Sequence, residues 1–227
     1  MPALCSGLSL RSSPEHSASP SLYLAQQAAT DGPELTATSG PRLLAKLSNT
    51  DEMLFDAGSL TEFASQSSQN LQPLFTALEV RAAATREAIG EERLAWLRTL
   101  PRIQFHDRLA LVHASPKSLW RAPSPEAGDA ELEGVYSPLD RTVTVYGHIH
   151  RSYIRKMPGM TVANSGSVSL SYDGDCRAAY LLLDEAGPSI RRVEYDVEAE
   201  IKALQVCGLP HSGWVARMLG TASFQMP

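Results

Sequence analysis

Gly147-His148-Ile149-His150 follows directly on the apolar, β-branched run Thr142-Val143-Thr144-Val145-Tyr146. Two imidazoles at i and i+2 after a flexible glycine can converge on one metal ion or on two adjacent ones, and imidazole suits Zn, Mn, Fe, Co or Ni. A third histidine, His113, ends a second apolar run, Leu109 to Val112. If the two runs are parallel neighbours in one sheet, their ends meet where α/β folds hold ligands. Asn49, within Ser48-Asn49-Thr50-Asp51-Glu52, offers a neutral carbonyl oxygen. Further on, Val162-Ala163 runs into Asn164-Ser165-Gly166-Ser167, a loop of small residues that lets a backbone approach closely. Taken singly, each has an ordinary alternative: surface or core histidines, a tolerated strand-edge histidine, a helix cap and a plain turn.

The hydrophobic patterns supply elements that could position these residues. Leu43 to Leu47 is a short apolar run, strand or helix end, before the polar turn at 48–51. Residues 60–89 read as helix in two pieces broken at Pro73, and Glu91 to Leu100 as an amphipathic helix with Leu94, Leu97 and Leu100 in register. After Pro101 the period changes. Ile103 and Phe105 alternate with polar residues, His106-Asp107 makes a turn, and Leu109 to His113 is a continuous apolar strand. Residues 114–138 read as a Pro-rich, acidic surface excursion. Strands follow over 142–146, 153–156, 160–163, 177–183 and 190–195, then helices over 197–206 and 213–219.

Composition bounds the function. The chain has 227 residues, 43% hydrophobic and 20% charged, a globular mixture with one domain's worth of pattern from residue 43 to about 220 and a tail at 221–227. A net charge of −5 argues against general nucleic-acid or membrane-surface binding, which needs a basic face. The 3 cysteines are widely spaced with no CxxC, which predicts a reducing, cytoplasmic setting rather than a disulfide framework. No run approaches the length of a membrane span, and the start lacks the basic region of a signal peptide. Residues 1–42, dense in Ser, Thr, Pro and Gly, predict an irregular or disordered segment in which Leu22 to Ala29 alone could make a short helix.

As an ordered set, these motifs resemble the calcineurin-like metallophosphoesterases, in particular their small bacterial phosphodiesterase branch. Asn49-Thr50-Asp51 is similar to the family's Gly-Asn-His-Asp, Leu111-Val112-His113 to Val-His-Gly, Gly147-His148-Ile149-His150 to Gly-His-Thr-His, and Asn164-Ser165-Gly166-Ser167 to Asn-Pro-Gly-Ser. The resemblance implies an α/β fold of two mixed β-sheets sandwiched between helices, a four-layer sandwich incomplete at its N-terminus. It implies that Asn49, His113 and His148 ligate one divalent metal ion and His150 a second, with manganese first and Fe, Zn, Ni or Co as alternatives. Arg151 and Arg155 would contact substrate phosphate by a bidentate fork, their ordinary alternative being a solvated basic strand. The implied reaction is hydrolysis of a small-molecule phosphoester, a diester before a monoester, by metal-bound hydroxide, with two ions clamping the phosphoryl group about 4 Å apart.

Three departures qualify that expectation. Thr50 stands where many members carry a histidine that helps the leaving group, which favours activated or diester substrates. The family's opening Asp-x-His and bridging Gly-Asp have no counterpart: only His16 and Asp31 precede Asn49, and neither sits in such a motif. Without those carboxylates the repulsion between two dications is not offset, so a single ion at Asn49, His113 and His148 is the more stable expectation. The abrupt join of a Ser/Pro-rich opening to a motif-bearing body suggests N-terminal divergence or a start placed out of frame. Exposed sheet edges would then encourage a homo-oligomer. The rivals to an enzyme are a catalytically silent scaffold of the same fold and a one-metal binding protein without turnover.

Overall fold

A computed structural model describes residues 46–227 and the backbone of Leu22–Leu24. Most of the segment expected to be irregular, 1–42, and residues 43–45 of the apolar run therefore lie outside the described residues. Strand β1, Leu22–Leu24, is extended where the sequence suggested the start of a helix. Helices α1, Asn49–Phe55, and α2, Ala57–Ser65, lead to the long α3, Gln72–Arg98. Then come β2, Ile103–His106, β3, Leu109–Val112, α4, Asp129–Tyr136, β4, Val143–Tyr146, β5, Tyr153–Met157, and β6, Met160–Asn164. The chain closes with β7, Ala178–Asp184, β8, Gly187–Val193, α5, Val197–Val206, and α6, Ser212–Thr221.

Two sheets organise these elements. One is a five-stranded mixed sheet in the order β2-β3-β4-β6-β5, and the other a three-stranded antiparallel sheet in the order β1-β7-β8. In the mixed sheet β3 and β4 run parallel, as do β4 and β6, while β2 and β5 close the edges antiparallel. All four residues of β3 and of β4 are buried, because both faces of these central strands are covered. Leu109, Leu111, Val143, Val145 and Ala163 point one way and pack on Leu181 and Leu183 of β7, which forms the core between the sheets. Ala110, Val112, Tyr146 and Val162 point the other way, onto Leu132 and Tyr136 of α4. Each of the leucine and valine side chains among them contributes about 1.5–3 kcal/mol by leaving water.

The expected surface excursion at 114–138 is corrected here. Its second half is α4, whose Leu132 and Tyr136 are both 0% exposed, and the Tyr136 hydroxyl donates to the Ala114 carbonyl at 2.6 Å. The helical reading upstream holds closely. Pro73 sits in the first turn of α3, and α3 is broken at Gly90, whose φ of 75° and ψ of 168° suit glycine alone. The arm after Gly90 buries Leu94 and Leu97 against Met53, Leu54 and Phe75. Helices α5 and α6 pack on each other and on Ala77 of α3. No helix among the described residues is long and apolar enough to cross a membrane.

Candidate metal centre

Parallel pairing of β3 with β4 sets Leu111 opposite Val145, so the residues that follow each strand emerge side by side. The Gly147 amide donates to the His113 carbonyl at 2.8 Å and locks the two ends together. Beyond Gly147 the backbone turns sharply: the Ile149 amide returns to the Gly147 carbonyl at 2.7 Å, and His148 and His150 both adopt left-handed conformations, with φ of 66° and 57°. Non-glycine residues in that region hold strain, which such sites retain only where the surroundings enforce it. Asn164 does the enforcing. Fully buried at the end of β6, it donates from Nδ2 to the Gly147 carbonyl at 2.5 Å and accepts at Oδ1 from the Gly166 amide at 3.0 Å.

Asn49 arrives from a different direction. Ser48 and Asp51 form a reciprocal capping box at the start of α1: the Asp51 amide donates to Ser48 Oγ at 3.1 Å, and the Ser48 amide donates to Asp51 Oδ2 at 2.9 Å. The capping alternative read from the sequence and the ligand reading are thus both served, by neighbouring residues. The cap fixes Asn49 so that its Oδ1 stands 2.7 Å from His113 Nε2, and His148 Nδ1 lies 3.2 Å from the same nitrogen. Separations of about 3 Å are those between neighbouring ligand atoms around an ion bound at about 2.1 Å.

The surroundings make the histidines neutral. Burial first, then the charges of Lys46, His148 and His150, hold His113 well below the usual imidazole range. Burial drives His148 down to about 4, with His150 adding to the shift and the main-chain carbonyl of Trp120 opposing it. His150 is lowered by burial too; its Nδ1 donates to the Leu170 carbonyl at 2.6 Å, and its ring stacks on Tyr172 at 4.8 Å. Neutral imidazole is the form that binds metal.

Asn49, His113 and His148 are therefore in direct contact, whereas His150 lies alongside, bonded to Leu170. Arg151 pairs with Glu126 at 2.8 Å and Arg155 with Asp129 at 2.8 Å, tying the approach to β5 to the loop before α4 and β5 itself to the first residue of α4. Sequence reasoning missed Lys46, whose Nζ is 3.2 Å from His113 Nδ1. Although part of the residue touches solvent, burial of its ammonium lowers Lys46 to about 7, against the attraction of Asp51. It also missed Trp120, whose ring stacks on Phe63 at 5.0 Å and whose Nε1 donates to Glu52 Oε2 at 3.1 Å.

The donor set, an amide oxygen and two imidazole nitrogens, fits one divalent ion of the borderline class. Among the described residues no three of His, Cys, Asp or Glu gather at one point, so the amide oxygen of Asn49 is what completes a set of three donors.

No family model matches the sequence, nor does any curated protein sequence. Solved structures do match in shape. A metallophosphoesterase from Sphaerobacter thermophilus superposes with a TM-score of 0.61 at 19% identity, over 81% of this chain and 78% of that one. A hypothetical protein from Pyrococcus horikoshii superposes with a TM-score of 0.62 at 16% identity, over 78% of this chain and 71% of that one. With a mixed sheet and a second sheet flanked by helices, the chain has the calcineurin-like metallophosphoesterase fold.

Proposed function

We propose that the chain is a metal-dependent phosphoesterase acting on a small-molecule phosphodiester, with one divalent ion, manganese by preference, held by Asn49, His113 and His148. The observation that carries this reading is the convergence of Asn49 Oδ1, His113 Nε2 and His148 Nδ1 at the ends of two parallel strands. A divalent ion supplies Lewis-acid polarisation of a phosphoryl oxygen and a nucleophile at neutral pH. The chain's own residues do the rest. His150, neutral and oriented by the Leu170 carbonyl and Tyr172, lies near enough to His113 and His148 to lower both. Thr50 bonds Ser48 at 2.8 Å through its hydroxyl, so it stabilises the cap rather than offering a titrating acid. The reading therefore favours substrates whose leaving group departs without a proton. Arg151 and Arg155 reach substrate phosphate only by exchanging Glu126 and Asp129 for it. We assign the chain to the cytoplasm, a reading supported by Cys176 and Cys207 as free thiols.

The test is metal content per chain after incubation with Mn²⁺ and desalting, paired with hydrolysis of bis(p-nitrophenyl) phosphate and of its monoester. One ion per chain and diester turnover, both lost in Asn49→Ala and His148→Ala, are expected. Metal binding and turnover that both survive His148→Ala unchanged overturn the reading of this site as the source of the activity. A second reading, a fold of this type that binds metal or a partner without turnover, is favoured by the carboxylate-free donor set and by Thr50. It predicts one ion and no hydrolysis.

A further inference from the structure

The end of the sheets away from the histidines holds a hollow of about 350 Å³, within the size range of small-molecule sites. It opens where β3, β4 and β6 begin, between the β5–β6 turn and the β7–β8 turn. Val143, which opens β4, lies about 13 Å of extended strand from Gly147 and the histidine turn. Arg108 and Lys156 bring positive charge to the hollow, and Val143, Met157, Met160 and Pro188 bring apolar surface.

Backbone bonds fix its walls. The Val143 amide donates to the Arg108 carbonyl at 3.0 Å, and the Thr161 amide to the Thr142 carbonyl at 2.8 Å. Met157 pairs with Met160 and Asp184 with Gly187 across the two turns. The Arg108 guanidinium donates to the Asp184 carbonyl at 2.7 Å, so it is held by a neutral acceptor that leaves its charge uncompensated. Charge sets the hollow apart in a chain of net charge −5. Among the described residues Arg102, Arg151, Arg155, Arg177 and Arg192 each pair with a carboxylate, whereas Arg108 and Lys156 pair with none. No carboxylate side chain lines the hollow. The acids beside it are engaged: Asp107 faces His106 at 3.2 Å, and Asp184 accepts from the Ala186 amide at 2.9 Å.

We propose that this hollow binds a small organic oxyanion, a phosphate ester or carboxylate, whose charged head meets Arg108 and Lys156 and whose body lies on the apolar surface. An arginine fork suits either head. The site is separate from the metal centre and does not depend on the phosphoesterase reading.

The test titrates phenyl phosphate, benzoate, inorganic phosphate and benzyl alcohol into the chain with a chelator present, at physiological salt, followed by ¹⁵N–¹H correlation spectra. Saturable shifts of the Arg108, Thr142, Lys156 and Thr161 amides are expected with phenyl phosphate or benzoate, and the tighter of the two identifies the head group. Inorganic phosphate, without the body, should bind more weakly, and benzyl alcohol, without the charge, should not bind. A hydrogen bond to a charged partner is worth about 10–100-fold in affinity, so Lys156→Met and Arg108→Met, both at exposed positions, should each weaken binding by about that much. Asn49→Ala should leave it unchanged. Absence of saturable shifts, affinity that survives both methionine substitutions, or affinity lost in Asn49→Ala overturns the proposal. Lys156→Met decides alone should Arg108→Met fail to fold, because the Lys156 ammonium holds no partner among the described residues.

Discussion

His148 and its neighbours make the site sensitive to acid. Unfolded, His148 binds a proton near its ordinary value of 6.5; folded, burial and the charge of His150 hold it to about 4. Between those values the unfolded chain holds more protons, so stability rises with pH through the window and is lost as the pH falls from about 6.5 toward 4. For His148 alone this is about 2 kcal/mol between pH 7 and pH 5. His113 and His150 act in the same direction, and Asp51, raised by burial, opposes them nearer the carboxylate range. Urea melts of the metal-free chain at the two pH values should show the loss, and His148→Asn should remove its share; an unchanged slope in that variant refutes this assignment. Asn49, His113 and His148 were legible in the sequence because their motifs keep a recognisable order. Lys46 was not, because its effect arises from a contact with His113, 67 positions away, that no local spacing marks.

At the scale of elements, the β6 end and its loop act as a bracket for the histidine turn. Gly166 has a φ of 73°, and a Cβ there would come within 2.8 Å of Ala179 Cβ and 3.0 Å of Ser152 Cβ. Its amide also holds Asn164, which holds Gly147. Gly166→Ala is expected to destabilise the chain by about 1–3 kcal/mol through backbone strain, with crowding adding a comparable amount. Chemical denaturation measures the loss, and His148 ring resonances should shift in the same variant while those of exposed His211 stay put. Apolar runs made β3 and β4 readable, and Pro73 and Gly90 punctuated the helices as their chemistry requires. Helix α4 escaped because Asp129 to Tyr136 commits only Leu132 and Tyr136 to the core, too sparse a stripe among acidic neighbours. Strand β1 escaped for another reason: three residues carry no period, and what makes them a strand is pairing with β7.

The whole molecule is needed to assemble the site. Lys46 comes from the segment before α1, Asn49 from the first position of α1, His113 from just past β3, His148 and His150 from the turn after β4, and the carbonyls that orient them from Trp120 and Leu170. An unfolded chain has no such arrangement, so an ion that binds the native state adds RT ln(1 + [L]/Kd) to stability, about 2.7 kcal/mol at one hundred times Kd. The melting temperature of the native chain should climb with Mn²⁺ concentration, return on adding a chelator, and stay flat in Asn49→Ala. A climb that survives Asn49→Ala moves the ion elsewhere. The fold was legible as a whole because strand ends follow one another along the chain in motif order; the size and antiparallel character of the second sheet were not, since Ala178 to Val193 carries no site residue. The placement of Trp120 has one more consequence. Its carbonyl steadies His148, its indole donates to Glu52, and its ring lies on Phe63. Indole emission follows the local field and the rigidity of the ring, so Trp120, one of the chain's 3 tryptophans, is a lamp beside the histidines, and the share of the emission that Trp120→Phe removes is expected to change when the site fills, without any attached label.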